Sequence, residues 1–239
     1  MKIKTLAITV TAVAMSAATS FAGTIVAKFN SVTPSLGVNY VSPAGNAGTT
    51  AGVFNWNRTG GTQTGTPAIG SNFASFCIEL TQNISPGGTY TMDVIPLAHA
   101  PVPGVPPIGG MGAAKAKDLK RLWASYFHLA ALSNVNAAAF QVSVWEIVYE
   151  TAAQYDVNTA NAGTRGAFYI TNQSAVRNLA NSWLGNLGTA EANLAAMSHP
   201  SFQDQLVLIP APPAVLAGLG LLGVGVANKL RNRRSERTV

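Results

Sequence analysis

Charge is what this chain has least of. Only 10% of its 239 residues are Asp, Glu, Lys or Arg, against about 25% in an ordinary soluble domain. That excludes a charge-rich disordered chain, and aromatic residues at 8% are enough to anchor a core. Cysteine is scarcer: Cys77 stands alone, so an intrachain disulfide is excluded. One cysteine and three scattered histidines lack the ligand spacing of a zinc site. Phosphate-binding loops and paired catalytic carboxylates are also missing, so neither metal nor cofactor is expected. The formal net charge of +6 comes from the two ends. Removing Lys2, Lys4, Lys229, Arg231, Arg233, Arg234 and Arg237, with Glu236, leaves eight bases and eight acids. The body is neutral, and no basic patch interleaved with aromatics argues for nucleic acid.

What is there begins with two terminal signals. Lys2 and Lys4 precede an apolar run from Leu6 to Ala18, and Ser20-Phe21-Ala22 supplies small residues for cleavage. Residues 1–22 therefore read as a secretory signal peptide, removed by signal peptidase. At the other end, Ala214 to Ala227 contains only Ala, Val, Leu and Gly. As a helix that run spans about 21 Å. Extended back to Ile209, with Lys229 snorkelling, it approaches the bilayer core of about 30 Å. The basic tail places the C-terminus in the cytoplasm. The expectation is an exported body held, at least transiently, in the inner membrane by one C-terminal helix. Gly218-Leu219-Gly220-Leu221-Leu222-Gly223 fits G-x-G-x-x-G, yet no strand precedes it and no acid follows at the required distance. Small residues that ease helix packing in a membrane explain it better.

The order Ile209-Pro210-Ala211-Pro212, apolar stretch, then Arg231-Asn232-Arg233-Arg234 resembles the PEP-CTERM sorting signal. In that family a Pro-Glu-Pro motif precedes a hydrophobic helix and an arginine cluster; here Ala211 stands where Glu is usual. The resemblance implies processing by an exosortase in a Gram-negative envelope, often alongside exopolysaccharide export, and sets residues 209–239 apart as a sorting and anchor segment.

The body, residues 23–208, reads as α+β: an N-terminal antiparallel β part joined to about three helices. Ile25, Ala27 and Phe29 alternate, Gly37 to Val41 and Gly52 to Trp56 are β-prone, and Ser71 to Gln82 is the clearest strand. Tyr90 to Leu97 is expected beside it, across the Ser85-Pro86-Gly87-Gly88 turn. Four prolines and four glycines in 100–112 mark a loop. The period then becomes helical at Leu119, Leu122, Trp123, Tyr126 and Leu129. A second helix, capped by Asn136, runs to about Ala152, and Val176, Leu179 and Trp183 suggest a third. Leu206 to Ile209 reads as a closing strand.

A free thiol in an exported chain must be buried or used. Cys77 sits mid-strand on the side opposite Phe76 and Ile78. Further on comes Phe140-Gln141-Val142-Ser143-Val144-Trp145. Phe-Cys-Ile followed by Gln-x-[Ala/Ser]-[Ile/Val]-Trp resembles the thioester domains of bacterial surface proteins, over roughly residues 70 to 155. Phe140 stands where Thr is common, and Ser143 where Ala is common. The resemblance implies that the Cys77 thiol and the Gln141 side chain form an internal thioester with loss of ammonia. Amine or hydroxyl groups of a surface or matrix would then attack it, giving covalent adhesion in a single-use reaction rather than enzymatic turnover.

Gln141 and Trp145, four apart, share a helix face, where Trp145 can shield the bond from water. Glu146 and Glu150 occupy the neighbouring stripe and are expected on the solvated surface. The enzyme alternative is a cysteine hydrolase using His99 or His128 as base, with no evident orienting carboxylate. The non-enzymatic alternative is a matrix or exopolysaccharide-associated structural protein, in which Trp56 and Tyr40 would stack on sugars where exposed, although aromatics in strands are more often core.

Overall fold

The computed structural model describes residues 23–62, 69–101, 109–158 and 166–210. The signal peptide, the apolar run from Ala214 and the motif residues Pro212, Arg231, Arg233 and Arg234 lie outside the described residues; Pro210 is the last inside them. Among the described residues, no helix is long and apolar enough to cross a membrane.

Among the described residues, seven strands and three α-helices make up the body. In chain order they are β1 (Thr24–Ser42), β2 (Gly45–Gly60), β3 (Asn72–Cys77), β4 (Thr89–Pro96), α1 (Gly112–Ala130), α2 (Asn134–Tyr149), β5 (Tyr169–Ile170), α3 (Ser174–Leu184), β6 (Leu194–His199) and β7 (Phe202–Leu208). All strand pairings are antiparallel. The order β2-β3-β7-β6-β4-β1 is closed by a further β2–β1 pairing, with β5 appended to β1. Six strands thus close into a barrel, which removes the free edges of an open sheet.

Alternation in the sequence sets the two faces. Ile25, Ala27 and Phe29 of β1 and Met92 and Val94 of β4 are buried inside, while Lys28, Thr91 and Asp93 between them are exposed. Pairing carries that inner face across the sheet through the row Val94, Met197, Gln205 and Cys77. The adjacent row, Ile95, Ala196, Leu206 and Phe76, faces outward. The helices cover it at Phe76, whose ring lies 4.4 Å from Phe140 and 5.8 Å from Trp123.

The expected helices and their type are present, as is the closing strand. Three expectations change, besides the strand expected over Ser71–Gln82, which ends at Cys77. Strand β4 does not lie beside β3. The Ser85–Gly88 turn docks on β1 instead: Phe29 N donates to Gly88 O (2.9 Å) and Gly87 N to Phe29 O (2.7 Å). Gly87 tolerates the positive φ of 86° this requires. That sends β4 along β1, and β7 takes the place beside β3. Second, Ser133 caps α2; its Oγ accepts from Asn136 N at 3.1 Å. The Asn136 side chain instead donates to Leu129 O at the end of α1. Third, α2 stops at Tyr149, because Glu150 is extended and its carboxylate accepts from the Thr151 and Ala152 N–H groups. Strand β6, rich in alanine and buried on both faces, shows no alternation that could announce it.

Helix α2 is the centre of the molecule. Every residue from Ala137 to Tyr149 is buried, which suits a helix apolar around most of its circumference. It packs on α1, α3, β1 and β2 and meets β3 near Cys77.

Candidate functional site

Strand β2 pairs with β3 only from Asn72 to Ser75. Beyond Ser75 that side of β3 is open, and the Gln141 carboxamide fills it. Cys77 N donates to Gln141 Oε1 at 2.9 Å, and Gln141 Nε2 donates to Cys77 O at 2.7 Å. The side-chain amide takes the part of a missing strand residue, bonded at both ends to the cysteine backbone. Both residues are fully buried. Unsatisfied amides in such a place would cost about 1–3 kcal/mol each, so the pairing holds Gln141 firmly.

The sulfur has two polar neighbours. The thiol lies 2.7 Å from Glu79 O, its acceptor, and Trp145 Nε1 donates to Sγ at 3.4 Å. Burial pushes the Cys77 thiol up to about 12, opposed by the Trp145 hydrogen bond. The thiol is therefore neutral at physiological pH and shut away from external oxidants. Glu79, itself buried, is shifted upward chiefly by burial; its carboxylate accepts from Thr81 Oγ1 (2.6 Å) and Asp204 N (3.2 Å).

Trp145 does more than cover the site, since its N–H is aimed at the sulfur. Its indole also contacts Tyr40 and Phe168, at ring-centroid distances of 6.4 and 6.2 Å. Phe76 and Phe140 do not line the sulfur. They sit with Trp123 and Phe127 in an aromatic cluster that locks β3 to α2. Their part is to set the distance between the two elements that carry Cys77 and Gln141.

Sequence reasoning missed Tyr149, whose hydroxyl accepts from Leu80 N at 2.9 Å and so grips β3 just past the cysteine. Burial raises its pKa. The spacing was available: Gln141, Trp145 and Tyr149 lie four apart on one stripe of α2. Gln205 and Gln203 were also missed. Trp56 Nε1 donates to Ser75 Oγ, Ser75 to Gln205 Oε1, Gln205 to Gln203 Oε1, and Gln203 to Glu79 O. This buried polar chain runs beside β3 to the residue that accepts the thiol. No local sequence signal pairs residues more than a hundred positions apart.

One expectation is overturned, and the sugar-stacking reading of two aromatics is excluded. Glu146 and Glu150 are buried, not solvated. Glu150 accepts from Thr151 N, Ala152 N and Ala167 N, and Glu146 Oε1 from Asp156 N at 2.6 Å. They tie the chain after α2 back onto the helix. Trp56 and Tyr40 are core residues, at 1% and 7% exposure, so neither offers a face to sugar. His99 and His128 are exposed, whereas Cys77 is fully buried, and its sulfur's bonding partners are Glu79 and Trp145. No protein-family model, curated protein or solved structure matches this chain.

Proposed function

We propose that the protein is an exported surface protein that forms an internal thioester between Cys77 and Gln141 and uses it for covalent attachment. One observation carries this reading: the carboxamide of the only glutamine on α2 is clamped at both ends to the backbone of the only cysteine. An ordinary amide resists a thiol, and holding the two together supplies much of the missing effective concentration.

The geometry supplies further parts of the chemistry. The Cys77 N–H already bonds Gln141 Oε1, where charge develops as sulfur attacks, and so acts as an oxyanion donor. The Trp145 N–H steadies the sulfur as it loses its proton. The Sγ–Cδ bond forms, the Cδ–Nε2 bond breaks, and the thiol proton leaves on ammonia. An incoming amine or hydroxyl then reverses the logic. Its nitrogen or oxygen bonds Cδ, the thiolate departs, and the nucleophile's proton returns to Sγ. The product is an amide or ester on Gln141 with Cys77 free. The exported, membrane-held setting with exosortase processing belongs to the same proposal and is supported by the sequence of the two termini.

Intact mass tests it. The freshly purified chain is expected to weigh one ammonia less than its sequence, and Cys77→Ala or Gln141→Ala to restore the full mass. Methylamine should add its whole mass to the wild type, and only then should a thiol reagent label Cys77. Full calculated mass with a thiol that labels equally well without amine would reject the thioester.

A further inference from the structure

A second site lies on the outer face of the barrel, on the strand that carries Cys77. Asn30, Asn55, Asn57 and Asn72, with Trp56, Phe73 and Ala74, line an open groove of about 390 Å³. The amides form a ladder across three strands. Asn30 Nδ2 donates to Asn57 Oδ1, and Asn57 Nδ2 donates to Asn72 Oδ1 at 2.8 Å. Asn55 spends its amide N–H groups on Thr33 O and Val53 O. Among the described residues, this leaves the acceptors Asn30 Oδ1 and Asn55 Oδ1 and the donor Asn72 Nδ2 without protein partners.

The ladder is built rather than incidental. Phe29 pairs with Trp56 and Ser31 with Asn55, so Asn30 is the extra residue of a β-bulge. Bulges re-aim a side chain, and this one joins Asn30 to the paired Asn57 and Asn72. Exposed amide–amide bonds add little stability, since water competes for each partner. What they do is hold the free donor and acceptors at fixed spacing. No ionisable group lines the groove, and from residue 29 to 78 the chain carries one charge, Arg58. Arg58 is directed to the backbone oxygens of Gly60 and Ile69.

We propose that this groove binds a neutral polysaccharide. Paired donors and acceptors match hydroxyls, which both donate and accept. The missing charge disfavours anionic ligands, and an open groove admits internal units of a long chain. Ala74, on the outward face with the asparagines, supplies apolar surface for the C–H faces of the sugar. Asn72 lies five residues before Cys77, about 17 Å along an extended strand. A bound polysaccharide would thus be held on the strand that carries the thioester cysteine. That last link rests on the function proposed above; the binding does not.

The test uses the full-length chain carrying Cys77→Ala, so that covalent capture cannot contribute; methylamine-treated wild type is a second background. Immobilised dextran, galactomannan and hydroxyethyl cellulose are the neutral probes, and alginate is the anionic one. At least one neutral probe should bind at physiological salt. Asn57→Ala combined with Asn72→Ala should weaken it about tenfold, because it removes the free Asn72 donor and releases Asn30 from its fixed position, at an unchanged melting temperature. Should that double variant melt lower, Asn30→Ala at the exposed end of the ladder decides, with an expected loss of several-fold. Binding to alginate alone, no binding to any neutral probe, or variants that bind like their parent would overturn the proposal. Because the parent here has no thioester, that outcome is separate from the mass result.

Discussion

Trp145 shows how much a single donor hydrogen can matter. As a bulky ring it excludes water from the Cys77–Gln141 pair; as an N–H donor it holds the sulfur at 3.4 Å. The two roles separate in Trp145→Phe, which keeps a ring and loses the donor. A hydrogen bond to a charged group is worth about 1.5–3 kcal/mol. Thioester formation after folding, followed by the loss of ammonia mass with time, should therefore slow by about tenfold or more. Opening by methylamine should slow as well, because the same thiolate is the leaving group. Trp145→Ala instead should admit water and speed hydrolysis. If Trp145→Phe opens faster than wild type, the ring's shielding outweighs its hydrogen bond.

At the scale of elements, α2 works as a mount for the site and as an anchor for the chain that follows it. The anchor is acidic. Glu146 is fully buried and its Oε2 has no hydrogen-bond partner among the described residues. Burial above all pushes its carboxyl up to about 9, against an ordinary value of 4.5. Across that interval the folded chain keeps a proton that the unfolded chain releases. Stability contributed by this residue is therefore greatest in acid, falls as pH rises from about 4.5 to about 9, and is level above. Glu146→Gln imitates the protonated acid and still offers Oε1 to Asp156 N. It should stabilise the fold at pH 7 by more than about 1.4 kcal/mol, the worth of a single pKa unit, and flatten that slope. Urea unfolding of both proteins across pH 5–9 reads this directly, and parallel pH profiles would show that Glu146 is ionised in the fold. Lys115, which donates to Val148 O and Glu150 O, has its pKa lowered by burial in the same corner.

For the whole molecule, closure of the barrel depends on its last strand. Strand β7 joins β3 to β6 and ends at Leu208. Ile209 N donates to Asn193 O, and Asn193 Nδ2 returns a bond to Ile209 O. Among the described residues, the ring is complete by Leu208. On the proposed export and anchoring, a chain ending at Ile209 should stay exported, lose membrane association, and keep a single cooperative melt. Aggregation or loss of that melt would make the apolar segment part of the fold. Removal from Phe202 onward, by contrast, should open the barrel beside Cys77 and abolish the ammonia loss.

The sequence by itself determined the α+β class, the alternating face of β1, and the helical periods of α1 and α3. These follow from side-chain periodicity and residue chemistry, which act over a few neighbouring positions. It also placed Trp145 on the glutamine's stripe of α2. Only the tertiary structure decided the rest. Ring closure put β7 rather than β4 beside β3, because the Ser85–Gly88 turn found its partner in Phe29. Burial of Glu146 and Glu150 came from a chain segment folding back over α2, which helical periodicity cannot anticipate. The double hydrogen bond between Gln141 and Cys77 exists because β2 leaves β3 after Ser75. An unpaired stretch of backbone needs a partner, and the nearest polar group long enough to reach it is the one that α2 brings.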